Sequence, residues 1–243
     1  MLKLTIAYDG TDYHGWQVQP NGITVQARIE AAFAKFSGEL THLQGSGRTD
    51  AGVHAWGQVA SMAYKGNLPS ERIQAAFNSL LPADISIRRV EDEGQNFHAR
   101  KSATAKTYLY VIDNGLVANP FLRCYAWHIR QPLNLQAMVL AADYLVGCHD
   151  FLSFKAADGE TATSRRTIIQ TRWLQRGSLL LFFIKGDGFL KNMVRIIVGT
   201  LVECGRGRYR PPAMADIIRA RSRAAAGITA PAQGLILRSV DYR

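Results

Sequence analysis

The chain has 243 residues, 47% of them apolar, enough for one large domain or two of ordinary size to bury a real core without disulfide or metal staples. A formal charge of +10 calls for a polyanionic partner, nucleic acid ahead of an anionic membrane surface. The apolar run Leu179–Ile184 is far too short to span a bilayer, and the opening MLKLTIAYDG reads as a strand entering a turn rather than a signal peptide, so the cytoplasm is the expected location. Cys124, Cys148 and Cys204 share no metal-ligand spacing and read as reduced, structural thiols. The histidines form no HxxxH pair or Cys/His cluster, and no metal is expected.

Alternation of Leu2, Leu4, Ile6 and Tyr8 predicts a first strand, ended by Asp9-Gly10. Val25, Ile29, Ala32, Phe33 and Phe36 then fall at helical spacing behind a Thr24 N-cap, with Gly38 placed to stop the helix. Residues 45–60 read as a loop entering a strand near Gln58–Tyr64. Ser70 is the expected cap of a second helix carrying Ile73, Phe77 and Leu80, and Pro82 stops it before a strand at Ile85–Val90. A second series opens at Lys106 with a strand through Ile112, a helix from about Asn134 to Val146, and strands near Thr167–Leu174 and Leu179–Ile184. A helix after Gly188 with Met193, Val194, Ile197 and Leu201 on one face, a short helix after Pro212 and a strand at Leu235–Asp241 complete it. Two similar βα-rich halves, residues 1–105 and 106–243, predict an α+β fold with a mixed, largely antiparallel sheet backed by helices.

The most informative stretch is GSGRTDAGVHAWGQVA, residues 45–60, which sets Arg48, Thr49 and Asp50 between glycines that permit sharp turns and close approach to another molecule. Two readings fit this chemistry. Asp50 is either an exposed nucleophile beside an arginine or the cap of a solvated turn. In Lys106-Thr107-Tyr108-Leu109-Tyr110 the period of two puts both tyrosines on one strand face, as half-buried packing residues or as a flat surface for a base with a hydroxyl to move a proton. Arg165 and Arg166 precede an apolar strand, either as a solvated pair or as a guanidinium that holds a carboxylate ionised. The stretch from Gly188 to Arg195 opens a helix that either packs in the core or turns its first amides to a phosphate.

Taken together, these stretches resemble the tRNA pseudouridine synthase A family along almost the whole chain. IAYDGTDYHGWQVQP, GSGRTDAGVHAWGQVA, FHARKSATAKTYLYVI, HDFLSF, FLKNMVRIIVGTL and ITAPAQGLILRSVDY occur in the family's order. The resemblance implies isomerisation of uridine to pseudouridine at positions 38, 39 and 40 of the tRNA anticodon stem-loop, by a homodimer with a central basic active-site cleft and no cofactor. It makes Asp50 the nucleophile and Tyr108 the residue that stacks on uracil. Arg48 handles the flipped nucleotide, Arg166 partners the nucleophile with Arg165 as its competitor, and Leu190 lies against the uracil. The match is looser between Pro120 and Ala142, where no role is assigned. A non-catalytic RNA-binding module is the alternative that charge and strand aromatics would equally serve. The intact Arg48-Thr49-Asp50 loop argues against it, because a carboxylate placed against RNA is electrostatically costly unless chemistry uses it.

Overall fold

The computed structural model describes residues 1–159 and 161–243. The predicted alternation is realised in β1 (Leu2–Tyr8), which buries Leu2, Leu4, Ile6 and Tyr8 and leaves the residues between them half-covered. Helix α1 (Val25–Ser37) starts where Thr24 Oγ1 accepts the Ala27 N–H and ends at a left-handed Gly38 whose N–H reaches Ala34 O. Two residues of β2 (Gln44–Gly45) pair with β3 (His54–Met62), and β3 runs antiparallel to β1. This strand begins four residues before the predicted start, because Ala55 already pairs with Tyr8, a contact that local pattern does not carry.

Helix α2 (Ser70–Leu80) corrects the predicted cap. Pro69 occupies that position, with its carbonyl accepting from Arg72 and Ile73, and Ser70 is the first helical residue with no capping bond. The two helices lock through Phe33, Phe36 and Phe77, whose ring centroids lie 5.1–6.1 Å apart. Aromatic pairs at such spacing add about 0.5–1.5 kcal/mol each beyond the area they bury. Strand β4 (Ile85–Asp92) pairs antiparallel with the other edge of β1.

Strand β5 (Ala103–Asp113) carries the chain into a second compact unit, residues 105–235. There the two-residue β6 (Trp127–His128) pairs parallel to the end of β5, and α3 (Leu135–Asp143) is capped by the Asn134 side chain on the Ala137 N–H. Strands β7 (Gly147–Asp150), β8 (Arg165–Arg176) and β9 (Leu179–Gly186) form an antiparallel set in the order β5-β9-β8-β7. Helix α4 (Met193–Gly205) is buried along nearly its whole length, so the core-packing reading of its apolar face holds. The short α5 (Ala213–Ala220) follows Pro212 as predicted. Finally β10 (Leu235–Tyr242) returns to the first unit, residues 1–104 and 236–243, where Ile236 and Leu237 pair parallel with His54 and Ala55. Each unit is thus a mostly antiparallel sheet accompanied by helices, and the fold class is α+β as expected. No helix among the described residues is long and apolar enough to cross a membrane.

Candidate active site

The loop from Ser46 to Val53 alternates in burial. Ser46 and Thr49 point in, while Arg48 is exposed and Asp50 half-buried. A buried polar network sets this alternation. Tyr8 Oη and Thr49 Oγ1 lie 2.8 Å apart, Ser46 Oγ donates to Gln58 Oε1 at 2.7 Å, and Gln58 Nε2 donates to Gly47 O at 2.9 Å. Ser46 and Gln58 are fully buried, so these bonds form away from competing water. Burial pushes the Tyr8 hydroxyl well above the usual phenol range, more than its bonds to Thr49 and Gln58 lower it.

The segment around Gly15 holds the loop from its other side. Trp16 N–H donates to Thr49 O at 3.1 Å and Gly52 N–H to Tyr13 O at 3.3 Å. Gly15 sits at φ +88°, and a Cβ there would stand 2.5 Å from Thr49 O, so only glycine allows this approach. Downstream, Asp50–Val53 is a turn closed by Val53 N–H on Asp50 O at 3.1 Å, with Gly52 at φ +75° in the position that needs a positive φ. The next strand starts at His54, a buried side chain whose Nδ1 accepts the Gly10 N–H at 3.0 Å. Asp50 is therefore carried on a backbone tied at Thr49 and Gly52 and through its own carbonyl, which is what a reacting group needs to be held to one geometry.

In the second unit the structure brings three of the predicted residues close to one short stretch. Tyr108 is buried, and its ring meets Phe189 edge-on with centroids 5.1 Å apart. Leu190, the next residue, is buried, and its N–H approaches Met193 Sδ. A Cβ on Gly188 would lie 3.3 Å from Arg166 Nε, which places that guanidinium against the same turn. Arg166 also donates through Nη1 to Thr163 O at 2.9 Å and Arg165 O at 2.6 Å, so part of its fork is engaged within its own loop. Arg165 is exposed, with a guanidinium nitrogen 3.8 Å from Cys148 Sγ.

Tyr110 shares the face of Tyr108 but is fully buried, with its hydroxyl on Pro231 O at 2.8 Å. Asn192, just before α4, adopts a left-handed φ of 59° and accepts from Arg195 Nη1 at 3.0 Å, while Arg195 Nε donates to Ala230 O at 2.8 Å. A non-glycine residue held there is a local cost that surrounding structure must offset, and such positions gather at functional sites. Sequence reasoning missed Tyr8, Ser46, Gln58 and Phe189 as supports. The one signal available was Gln58, a polar residue inside the apolar run of β3. Among the described residues no group of three or more His, Cys, Asp or Glu side chains is disposed to hold a metal.

An α+β chain with an arginine–aspartate loop held by buried polar bonds, and a tyrosine strand packed on an aromatic turn, fits a nucleotide-modifying enzyme. Comparison with known proteins makes the class specific. The sequence pattern of the tRNA pseudouridine synthase family matches residues 4–100 and 141–243, and the chain belongs to that family. It is 50% identical over 243 residues to tRNA pseudouridine synthase A of Moorella thermoacetica, covering 99% of both chains. Over 241 residues, again with 99% of both chains covered, it is 47% identical to the protein of that name from Brevibacillus brevis and 44% identical to that from Pelobacter propionicus. The chain is accordingly a tRNA pseudouridine synthase, an isomerase.

Proposed function

We propose that this enzyme converts uridine to pseudouridine at positions 38, 39 and 40 of the tRNA anticodon stem-loop, with Asp50 as the reacting carboxylate and no cofactor. The observation that carries the reading is the buried clamp on residues 46, 47 and 49, which leaves Arg48 and Asp50 as the outward members of a fixed loop. In the reaction the N1–C1′ bond breaks, the uracil turns, and C5 joins C1′ while the C5 proton leaves. Nothing is added to the nucleoside or lost from it beyond exchange of that proton. A nucleophile, a proton acceptor and a dry place for an extruded base are therefore sufficient.

Asp50 acts at the ribose, by attack on C1′ or by removal of the C2′ proton to give a glycal. Deuterium at C2′ separates the two routes, since only the second breaks that bond. Tyr108 stacks on the uracil and takes the C5 proton, with Leu190 against the base. Arg48 holds the flipped nucleotide, and Arg166 keeps the Asp50 carboxylate charged. The enzyme works as a homodimer in the cytoplasm, and its binding weakens with salt by a log–log slope of about −0.7 to −0.9 per phosphate contacted.

The test is release of tritium from unmodified tRNA labelled at uracil C5, with no cofactor added, using tRNAs that carry uridine at only one of the three positions. Release from each supports the reading. Retention of all label on a tRNA bound by the protein would overturn it.

A further inference from the structure

Trp56 is the one exposed residue of β3, whose eight other residues are all buried. Trp56 is 63% exposed, and the Arg88 guanidinium carbon lies 4.7 Å from its ring centroid. Two irregularities in the sheet bring the pair together. Between β1 and β4 the register shifts so that Thr5 faces Arg89 and Ile6 faces Ile87, leaving Arg88 as the extra residue. Between β1 and β3 it shifts so that Ile6 faces Gln58 and Tyr8 faces Ala55, leaving Trp56 and Gly57 against Ala7. The bulges flank the same short stretch of β1 from its two sides. Each bulge carries one member of the pair, and the two side chains meet. Bulges are kept where they re-aim a side chain.

The cation–ring contact adds only about 0.5–1 kcal/mol to the fold at an exposed site. An exposed indole forgoes the hydrophobic gain that its area would bring in the core. The pair does present a chemistry of its own, a largely exposed indole with a guanidinium over its ring. A guanidinium over a ring keeps N–H donors that an adjoining phosphate can take. Arg89 stands beside it, 70% exposed and 3.1 Å from Glu91. On a chain of charge +10, stacking on an indole next to guanidinium donors suits a base and its phosphate.

We propose that Trp56 and Arg88 form a docking platform for the tRNA substrate, apart from the reacting groups, where an unpaired base stacks on the indole and Arg88 takes the adjoining phosphate. The proposal rests on tRNA being the substrate. Labelled unmodified tRNA is titrated at fixed salt with the wild-type enzyme, Trp56→Ala, Trp56→Phe, Arg88→Ala and, as a control, Leu40→Ala at a site 95% exposed. Trp56→Ala should weaken binding roughly tenfold, within the range of one lost base–aromatic stack, and Trp56→Phe should recover most of it. Arg88→Ala should reduce the log–log salt slope by about 0.7 to 0.9, one phosphate contact. Leu40→Ala should bind as wild type, and in the tritium assay the Trp56→Ala loss should fall on KM rather than kcat.

Wild-type affinity in Trp56→Ala would overturn the platform, as would Trp56→Phe losing as much as Trp56→Ala. A change of sedimenting mass in Trp56→Ala at unchanged tRNA affinity would also overturn it, by assigning the ring to a contact between copies. An enzyme that binds tRNA through Trp56 yet releases no tritium would uphold the platform and count against the proposed reaction instead.

Discussion

The hydroxyls of Tyr8 and Thr49 are 2.8 Å apart inside the protein, and this one bond ties the end of the first strand to the residue between Arg48 and Asp50. Tyr8→Phe leaves the Thr49 hydroxyl buried without that partner, at a cost of about 1–3 kcal/mol. Replacing Thr49 by Val in the Tyr8→Phe background removes the stranded group and should restore part of that loss. If the bond positions Asp50, kcat should follow stability down and partly back, while tRNA affinity stays constant. Urea unfolding and single-turnover rates on the four proteins of this cycle measure both. A double variant as slow and as unstable as Tyr8→Phe alone would remove the bond from the mechanism.

Asp50→Asn keeps the shape of the side chain and removes its charge and nucleophilicity. The half-buried position at the start of a glycine turn is compatible with the amide, so folding and tRNA binding should be retained. Activity should fall by more than the roughly 10²–10⁴-fold expected for loss of an acid–base helper. Turnover within tenfold of wild type would refute Asp50 as the reacting group.

The two tyrosines of β5 should separate cleanly. Tyr110 gives its hydroxyl to Pro231 O, and burial pushes its ionisation far above the usual phenol range, so Tyr110→Phe should cost about 1 kcal/mol of stability and little activity. Tyr108 packs edge-on against Phe189, next to Leu190, and Tyr108→Phe should keep its stacking but slow the chemistry. Measured kcat and melting temperature for both variants decide the matter, and the reverse pattern would move the role to Tyr110.

How far the sequence could be read follows from where its bonds lie. Thr24 and Gly38 bound α1 as expected because both signals act within a few residues. The strands β2, β6 and β7 were missed, since two to four residues carry no period. The early start of β3 was missed because its pairing partner is in β1. The same rule governs the candidate site. Asp50 and Tyr108 are candidates through the loop motif and the family resemblance, whereas the clamp from Tyr8 and Gln58 joins residues that look like ordinary strand members until the chain is folded. Likewise alternation put Tyr108 and Tyr110 on one face, and only the distant Pro231 carbonyl distinguishes them.

The proposed partner of Asp50 is Arg166, with Arg165 as its competitor, and Arg195 is a third guanidinium to compare. Arg166 Nη1 is engaged by two carbonyls of its own loop, and Arg195 is fixed by Asn192 and Ala230. Lysine keeps the charge but not the planar fork. If Arg166 partners Asp50, Arg166→Lys should reduce kcat at least tenfold at unchanged tRNA affinity, while Arg195→Lys affects mainly stability. A tenfold loss of kcat in Arg165→Lys or Arg195→Lys with Arg166→Lys unaffected would transfer the role.

Asp150 closes the end of β7 and gives a prediction whose sign can be worked out. Its bond from the Ser164 side chain holds the carboxyl below its ordinary range; burial opposes this, and the Leu152 N–H at 3.1 Å and Arg221 at 3.0 Å from the carboxylate add to the lowering. A carboxylate depressed in the folded state stabilises the fold above its unfolded pKa, near 3.9, and loses that contribution as pH falls through the lower folded value. Asp150→Asn should therefore be less stable than wild type by about 1 kcal/mol at pH 7, a partly solvated charge-assisted bond being at stake. The gap should narrow as pH drops below about 4, because wild type then surrenders the charge that the variant never had. Urea unfolding at pH 7, 5 and 3.5 measures it, and a gap that stays constant across that range would show that the Asp150 charge contributes nothing to the fold.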